Sequence, residues 1–216
     1  RPEFALYNII NANDAEVYGA EIDVRAEPLV GWVPQVFDQL VLTGRLGWLE
    51  TQFLDFTNEV YRTKLVPGPG GLPSSKTLPV LIDYGGNQLI NSPRLKGSLA
   101  AEWTFDLGRW GALIPRYDFS WTDDIFFDPS QGRGSPDPNG EYHLPDHTVG
   151  QRAFWLHNAR LAYRTPEGNL EVACWVRNLT DEVYKTFSFD ASTFSNVVIN
   201  FVGEPRTWGV GLSISW

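Results

Sequence analysis

The feature that most constrains this chain is a strict two-residue alternation of apolar and polar side chains, repeated over segments of about ten residues. In residues 95–105 every odd position is apolar or glycine, whereas charged residues such as Lys96 and Glu102 occupy even positions. Successive side chains of an extended chain point to opposite sides, so this pattern predicts a strand with one apolar and one polar face. The tight turn 107–111 joins it to a second alternating segment, 113–122, which predicts an antiparallel hairpin.

The same alternation recurs along the chain and predicts about eight strands. They cover residues 4–10, 18–24, 40–48, 95–105, 113–122, 153–163, 170–177 and 208–216. Most exceed the five or six residues that are usual (about 17–20 Å) in globular proteins, and most could cross a membrane as tilted strands.

The connections between these segments differ in length in a regular way. Short or medium connections lie near 28–37, 107–111 and 165–169, and long ones rich in Gly, Pro, Asp and Asn near 54–89, 126–150 and 186–203. Short and long connections alternate, so each kind falls at its own end of the strands, except for the short hinge 11–14 on the long-loop side. This arrangement is typical of an outer-membrane β-barrel with short periplasmic turns and long extracellular loops.

Composition agrees with a wall of amphipathic strands. Aromatic residues make up 14% of the chain, with nine Trp, and they require a large apolar environment. Trp48 and Trp121 lie toward the long-loop ends of their strands, and Trp103, Trp110 and Trp216 toward the short-turn end. Such positions predict belts of aromatic residues at two membrane interfaces.

Charge and cysteine content exclude other classes. The formal net charge of −9 argues against nucleic acid as a partner, because phosphate binding needs a basic surface. The longest stretch without Asp, Glu, Lys or Arg, residues 191–203, is too short for a membrane-spanning helix. The single cysteine, Cys174, cannot form a disulfide within the chain and falls on the apolar side of its strand.

Four short motifs follow one another along the chain. They are Asn13-Asp14-Ala15-Glu16-Val17-Tyr18-Gly19-Ala20-Glu21, then Ile90-Asn91-Ser92-Pro93, then Val176-Arg177-Asn178-Leu179-Thr180-Asp181-Glu182-Val183-Tyr184, and finally Gly203-Glu204-Pro205-Arg206-Thr207-Trp208 before the terminal alternation. In order and spacing they resemble the C-terminal part of a TonB-dependent outer-membrane receptor. The residues that carry the resemblance are Tyr18, Gly19, Glu21, Asn91, Pro93, Asn178, Leu179, Asp181, Tyr184, Pro205 and Arg206.

The resemblance implies an all-β fold, an antiparallel up-and-down transmembrane barrel segment with about eight strands of a 22-stranded barrel. Residues 1–216 would be the C-terminal part of the barrel, with the plug domain and the earlier strands absent from this sequence. The final strand resembles the signal read by barrel-assembly machinery, carried by Trp208, Leu212, Ile214 and Trp216.

The function that the resemblance implies is active transport across the bacterial outer membrane. The solute would be scarce and large, most often an iron–siderophore complex, and transport would be energised through TonB. The implied partners are outer-membrane lipid, the receptor's own plug and remaining strands, the TonB complex acting through that plug, and the iron chelate.

Catalysis finds no support in the sequence, and we expect no catalytic residue, no metal site and no cofactor. His143 and His147 are separated by Pro145, which breaks a helical metal face, and residues 137–141 form a polar turn that lacks the full ligand set of a calcium loop. We expect ligand contacts from aromatic residues of the long loops. These are Tyr61, Tyr84, Phe126, Phe127, Tyr142, Phe187 and Phe189.

Two other interpretations remain open from the sequence. One is a self-contained eight-stranded outer-membrane barrel with a structural or adhesive role, closed by pairing between residues 4–10 and 208–216. The other is a soluble β-barrel that binds a small apolar ligand. Pairing of the first strand with the last would distinguish the eight-stranded barrel from the receptor. Solubility without detergent would distinguish the soluble barrel.

Overall fold

The computed structural model describes residues 14–137, 139–191 and 197–215, and within these ranges its regular secondary structure is almost entirely strands. The strands are β1 (Asp14–Ala26), β2 (Leu40–Asp55), β3 (Thr57–Pro67), β4 (Pro73–Asp83), β5 (Leu95–Trp103), β6 (Phe105–Asp106), β7 (Ala112–Thr122), β8 (Ile125–Phe126), β9 (Gly150–Gln151), β10 (Phe154–Arg164), β11 (Leu170–Arg177), β12 (Lys185–Asp190), β13 (Val198–Val202) and β14 (Thr207–Ile214). Two short 3₁₀ turns, Pro69–Gly71 and Gly108–Trp110, are the only helical elements in these ranges. Neither these turns nor any other described segment forms a helix long and apolar enough to cross a membrane.

Seven long strands form one antiparallel sheet, in which each strand pairs with the next of the seven along the chain. The order is β1-β2-β5-β7-β10-β11-β14, and β6 continues the pairing of β5 with β7. This confirms the seven predicted strands that lie within the described residues. The predicted strand 4–10 and the terminal Trp216 lie outside them.

The register of the sheet places the predicted apolar positions on one face across all seven strands. Cross-strand partners on this face include Ala20 with Trp48, Leu42 with Ala101, Leu99 with Phe119, Trp121 with Trp155, Leu161 with Cys174, and Val172 with Leu212. A shift of one residue in any pairing would move a whole strand's apolar set to the other face, so the alternation fixes the register. One polar residue on this face is His157, whose Nδ1 lies 2.5 Å from the hydroxyl oxygen of Tyr117.

The opposite face carries ion pairs between neighbouring strands. The Arg45 guanidinium lies 3.0 Å from Asp23, and Arg164 lies 2.8 Å from Glu171, which also pairs with Arg160. Charged side chains on the polar face of the sheet therefore pair with one another. A further group joins Arg116 to Asp118 of the same strand at 2.7 Å and to Glu102 on β5 at 3.3 Å.

The connections lie where the sequence placed them, with residues 27–39, 107–111 and 165–169 at one end of the wall and the three long ones at the other. Two of the long connections contain hairpins that the predicted strands did not include, because β3 pairs with β4 along eleven residues each, and β12 pairs with β13. The prediction of one unbroken strand over 95–105 is wrong. Thr104 interrupts it, since its backbone N–H donates to the carbonyl of Gln39 instead.

The sheet is open over the described residues. β1 pairs on one side with β2, and β14 on one side with β11, so each leaves one edge without a partner in this part of the chain. The closing contact of a self-contained eight-stranded barrel would involve residues 4–10, which lie outside the described ranges.

Candidate functional site

The motif around Asn178 ties the end of β11 to the start of β14. Asn178 is 4% exposed, and its side-chain amide donates to the carbonyls of Glu182 (2.9 Å) and Glu204 (3.0 Å), while its Oδ1 accepts from the Glu182 N–H at 2.8 Å. Its backbone φ of 50° lies in the left-handed region, where Asn is better tolerated than most residues. One side chain thus satisfies three backbone groups of the loop 178–206.

Arg206 and Asp181 form the second half of this connection. The backbone N–H of Arg206 donates to Asp181 Oδ1 at 2.9 Å, and its guanidinium contacts the Leu179 carbonyl at 3.4 Å. The Leu179 N–H in turn donates to the carbonyl of His157 on β10 at 2.7 Å. Pro205, two residues before β14, has no N–H to leave unpaired near the beginning of the strand. These family-motif residues therefore position β14 beside β11.

Tyr184 is held between an aromatic ring and a glycine. Its ring stacks on Phe154 with centroids 4.7 Å apart, and a Cβ atom added to Gly203 would lie 2.0 Å from the Tyr184 Cζ. The Gly203 N–H also donates to the Tyr184 carbonyl at 2.8 Å. Only glycine lets the chain pass this close to the ring.

The first two motifs meet at a groove of about 440 Å³ on the polar face, lined by Gly19, Glu21, Asn91, Pro93 and Lys96 among others. A Cβ on Gly19 would lie 2.3 Å from the Trp48 carbonyl oxygen, so the glycine permits close approach of β1 to β2. The neighbouring Tyr18 faces the other way and packs edge-on against Trp48, with centroids 5.8 Å apart.

A compact apolar cluster supports the long loops. Phe53, Phe56, Ile82 and Tyr84 are each at most 8% exposed and pack together, with Val60, Val80 and Leu89 against them. Burial raises the pKa of the Tyr84 phenol. The prediction that Tyr84 supplies exposed ligand surface is therefore wrong, because the β3–β4 hairpin folds over it.

Hydrogen bonds join the β3–β4 hairpin to the loop that follows β7. Arg62 Nε donates to the Pro136 carbonyl at 2.9 Å, and Lys64 Nζ to Asn139 Oδ1 at 2.5 Å. Asn87, in the segment that follows the hairpin, donates through Nδ2 to the Pro129 carbonyl of the same loop at 2.7 Å. The sequence offered a signal for this hairpin, namely β-branched residues on both sides of the Pro-Gly turn at 67–71, with Tyr61 on one side.

Asp128 organises the loop after β8. Its two carboxylate oxygens accept the N–H groups of Gly132 and Gly134, each at 2.8 Å. Burial raises the pKa of Asp128, and these two N–H donors act in the opposite direction. Lys185 closes the loop from β12 by donating to the carbonyl of His147 at 2.6 Å, and burial lowers the pKa of its ammonium.

The candidate ligand aromatics separate into buried and accessible residues. Phe127 is 7% exposed, so the expectation that it offers ligand surface is wrong, whereas Phe187 is 42% and Tyr61 63% exposed. Phe187 lies within 6.2 Å of the rings of Phe127, Phe189 and Phe201. The other candidates are half-buried, Phe126 stacked on His147 and Tyr142 beneath the Arg133 guanidinium.

The polar turn at 137–143 brings Asp137, Glu141 and His143 together with ligand atoms within 4.8 Å of one another. The Asp137 carboxylate already accepts the N–H groups of Asn139 (2.8 Å) and Glu141 (2.9 Å). These bonds and His143 hold the pKa of Asp137 well below its usual range. The groups close a turn through hydrogen bonds within the cluster.

Comparison with known proteins places the chain in a family. Residues 2–179 match the model described as TonB dependent receptor-like, beta-barrel. The chain belongs to this family of receptors, which is not a family of enzymes. No curated protein sequence matches it.

Two solved structures are similar to the fold. The siderophore receptor PiuA from Acinetobacter baumannii aligns with a TM-score of 0.57 and 15% identity, over 92% of this chain and 21% of that one. The ferric yersiniabactin uptake receptor FyuA from Yersinia pestis aligns with a TM-score of 0.50 and 17% identity, over 93% of this chain and 30% of that one. At these identities the likeness establishes a shared fold. The chain spans less than a third of the length of either receptor.

Proposed function

We propose that residues 1–216 are the C-terminal part of the barrel of an outer-membrane transport receptor that takes up an iron–siderophore complex with energy supplied through TonB. The remaining strands close the barrel against β1 and β14, and a plug domain occupies the lumen. The four motifs position neighbouring strands of the barrel and have a structural role. Exposed aromatic residues of the long loops contact the solute.

The observation that carries this proposal is the separation of the two faces of the sheet. One face is apolar across seven strands and is largely uncovered by the described residues, with Leu46, Leu99 and Val210 at 50%, 47% and 72% exposure. The other face carries the ion pairs. A wall between lipid and a polar lumen has this arrangement, whereas a soluble barrel would have to cover its apolar face.

Support for an iron chelate as solute comes from the similar structures and from the loops. PiuA is a siderophore receptor and FyuA takes up ferric yersiniabactin, and the fold that they share with this chain extends over more than nine tenths of it. Phe187 and Tyr61 expose aromatic rings at the long-loop end, where apolar or aromatic groups of a large chelate can pack.

The experiment that tests the function measures uptake of radiolabelled iron chelates by cells with and without the intact receptor gene, grown under iron limitation. We expect uptake of one chelate class to disappear in the deletion strain and also in a strain that lacks TonB. Unchanged uptake of every chelate in the deletion strain contradicts iron transport, and uptake that persists without TonB contradicts the energy source.

Phe187→Ala tests the loop aromatics in the same intact receptor. Loss of one aromatic contact is worth about 0.5–1.5 kcal/mol, so we expect the Kd for the chelate to rise roughly 2- to 12-fold. Leu107→Ala, which removes an exposed apolar side chain from the turn at the opposite end of the strands, is the matched control and leaves the Kd unchanged. An unchanged Kd in the folded Phe187→Ala receptor excludes Phe187 from the binding surface.

A further inference from the structure

The connection between β1 and β2, residues 27–39, differs from the other connections at the short-turn end. The turns 107–111 and 165–169 are tight and polar or glycine-rich, whereas this loop is much longer. Its central residues, 28–37, carry no charge, and Glu27 and Asp38 flank them. A loop of this length whose central residues are uncharged would be unusual if water surrounded it on all sides.

Contacts with β5 and β6 hold this loop on the apolar side of the sheet. The indole Nε1 of Trp103 donates to the Phe37 carbonyl at 3.0 Å, and the Phe37 ring packs edge-on against Phe105 with centroids 6.1 Å apart. Trp103 and Phe105 stack on each other at 4.7 Å. Because Trp103 pairs with Leu40 and Phe105 with Leu113 on the apolar face, the loop continues that face beyond the end of the strands.

The loop exposes apolar side chains, and turns within the loop form hydrogen bonds between some of its backbone groups. Trp32 is 88% exposed, and Val30, Val36 and Phe37 are each more than two fifths exposed. The N–H of Trp32 donates to the Leu29 carbonyl at 3.0 Å, and that of Phe37 to the Pro34 carbonyl at 2.8 Å. Backbone groups paired within turns can enter a medium that offers few hydrogen-bond partners.

We propose that residues 28–37 insert into the periplasmic leaflet of the outer membrane and hold this part of the wall at a fixed depth, an inference that rests on the proposed function. The occupant is lipid because the loop is continuous with the apolar face. It also carries no Lys or Arg, so apolar insertion and not attraction to anionic groups provides the binding. In the turn that follows β6, which contacts the loop through Phe105, the apolar side chains of Leu107 and Trp110 are also exposed.

The test places a fluorescent probe at position 32 of the intact receptor reconstituted in phosphatidylcholine vesicles. Three receptors are prepared, each with one cysteine that is labelled with bimane. The first carries Trp32→Cys, and the second, the matched control, carries Glu167→Cys in the tight turn at the same end; all other cysteines, including Cys174, are replaced in both. The third keeps only the native Cys174, on the apolar face of β11, as the reference for a site in the hydrocarbon region. For each receptor, quenching by nitroxide-bearing lipids is compared with quenching by aqueous iodide. Heat-modifiable migration in electrophoresis verifies that each labelled receptor is folded.

The expected result is lipid quenching at position 32 at least about threefold stronger than at position 167, with weak iodide quenching. Iodide quenching at position 32 equal to that at position 167 overturns the inference. If Cys174 is then shielded from iodide, the spanning wall stands and only the inserted loop is wrong; if Cys174 is also accessible, the proposed function fails as well. Shielding of position 32 in native outer membranes but not in vesicles would indicate a protein partner and also overturn the inference.

Discussion

At the residue scale, Asn178 shows how a short motif can be structural and need no ligand. Its amide joins the Glu182 and Glu204 carbonyls and the Glu182 N–H from a buried position. Asn178→Ala leaves these backbone groups without their side-chain partner. We expect the free energy of unfolding to fall by about 2–3 kcal/mol, since buried polar groups without partners cost about 1–3 kcal/mol.

Urea unfolding of the intact receptor in lipid vesicles measures this change. Asn169→Ala is the control, because Asn169 is exposed and its side chain makes one hydrogen bond, to Thr165 at 2.8 Å. An exposed substitution of this kind changes stability by less than about 0.5 kcal/mol. Equal effects of the two substitutions would show that the contacts of Asn178 do not stabilise the wall.

Gly203 gives a second prediction at this scale. In Gly203→Ala the new methyl group would overlap the Tyr184 ring, which cannot retreat because Phe154 stacks on it. Overpacking of this kind costs about 1–3 kcal/mol, and we expect a lower Tm of the receptor in a heat-modifiability assay. Gly211→Ala is the matched control, since nothing lies within 4 Å of its added Cβ.

The double variant Gly203→Ala, Tyr184→Ala separates the clash from other effects. Removing the ring removes the overlap, so we expect the double variant to be no less stable than Tyr184→Ala alone. If the double variant instead loses the sum of the stabilities lost in the two single variants, the effect of Gly203→Ala arises from the backbone of residue 203 and not from the clash with the ring.

At the element scale, the long connections are built elements that hold one another. The β3–β4 hairpin covers Tyr84 and donates through Arg62 to the loop after β8, which Asp128 closes on itself. Pairing within each hairpin is local, but the contacts between hairpin and loop join residues more than 70 positions apart. The loops therefore form a packed cap, in which buried charges influence stability.

Asp128 makes the stability of that cap depend on pH. Because burial raises its folded-state pKa above the usual 3.8, the folded loop keeps a proton that the unfolded loop has lost between about pH 3.8 and the raised pKa. The contribution of Asp128 to loop stability is therefore complete below about pH 3.8 and is lost as the pH rises through the folded pKa. We expect hydrogen-exchange protection factors of residues 128–135 to decline over this range.

Asp128→Asn removes the titrating group, and we expect the decline to disappear. Asp137→Asn is the control in the same loop region, because hydrogen bonds lower the pKa of Asp137 and its contribution is instead lost as the pH falls below the usual value. If the decline in protection persists in Asp128→Asn but vanishes when another residue is replaced, that other residue and not Asp128 is the titrating group.

At the scale of the whole molecule, the two edges of the sheet decide between a segment and a complete small barrel. β1 and β14 each pair on one side within the described residues, and unpaired strand edges favour association between chains. We expect residues 1–216 refolded alone in detergent to give oligomers, whereas the intact receptor gives a heat-modifiable monomer. Size-exclusion chromatography with light scattering measures the difference. A stable heat-modifiable monomer from residues 1–216 alone would support the self-contained eight-stranded barrel.

The amino-acid sequence determined the wall. In residues 95–105 and 170–177 the two-residue period alone identified the strand and the side that each residue faces, because successive side chains of an extended chain point in opposite directions. The same period fixed the register, since a shift of one residue would exchange the faces. The four motifs and their spacing also sufficed to identify the family, which the match over residues 2–179 confirms.

The tertiary structure decided what the loops and motifs do. Residues 57–67 and 73–83 fall within a predicted long connection, yet they pair as a hairpin and bury Tyr84. Asn178 acquires its role only when Glu204, 26 positions away, is brought beside it. These contacts depend on packing between segments that are distant in the chain, and a local period carries no information about such contacts. Alternation is set residue by residue, whereas burial and long-range hydrogen bonds exist only once the wall has brought the loops together.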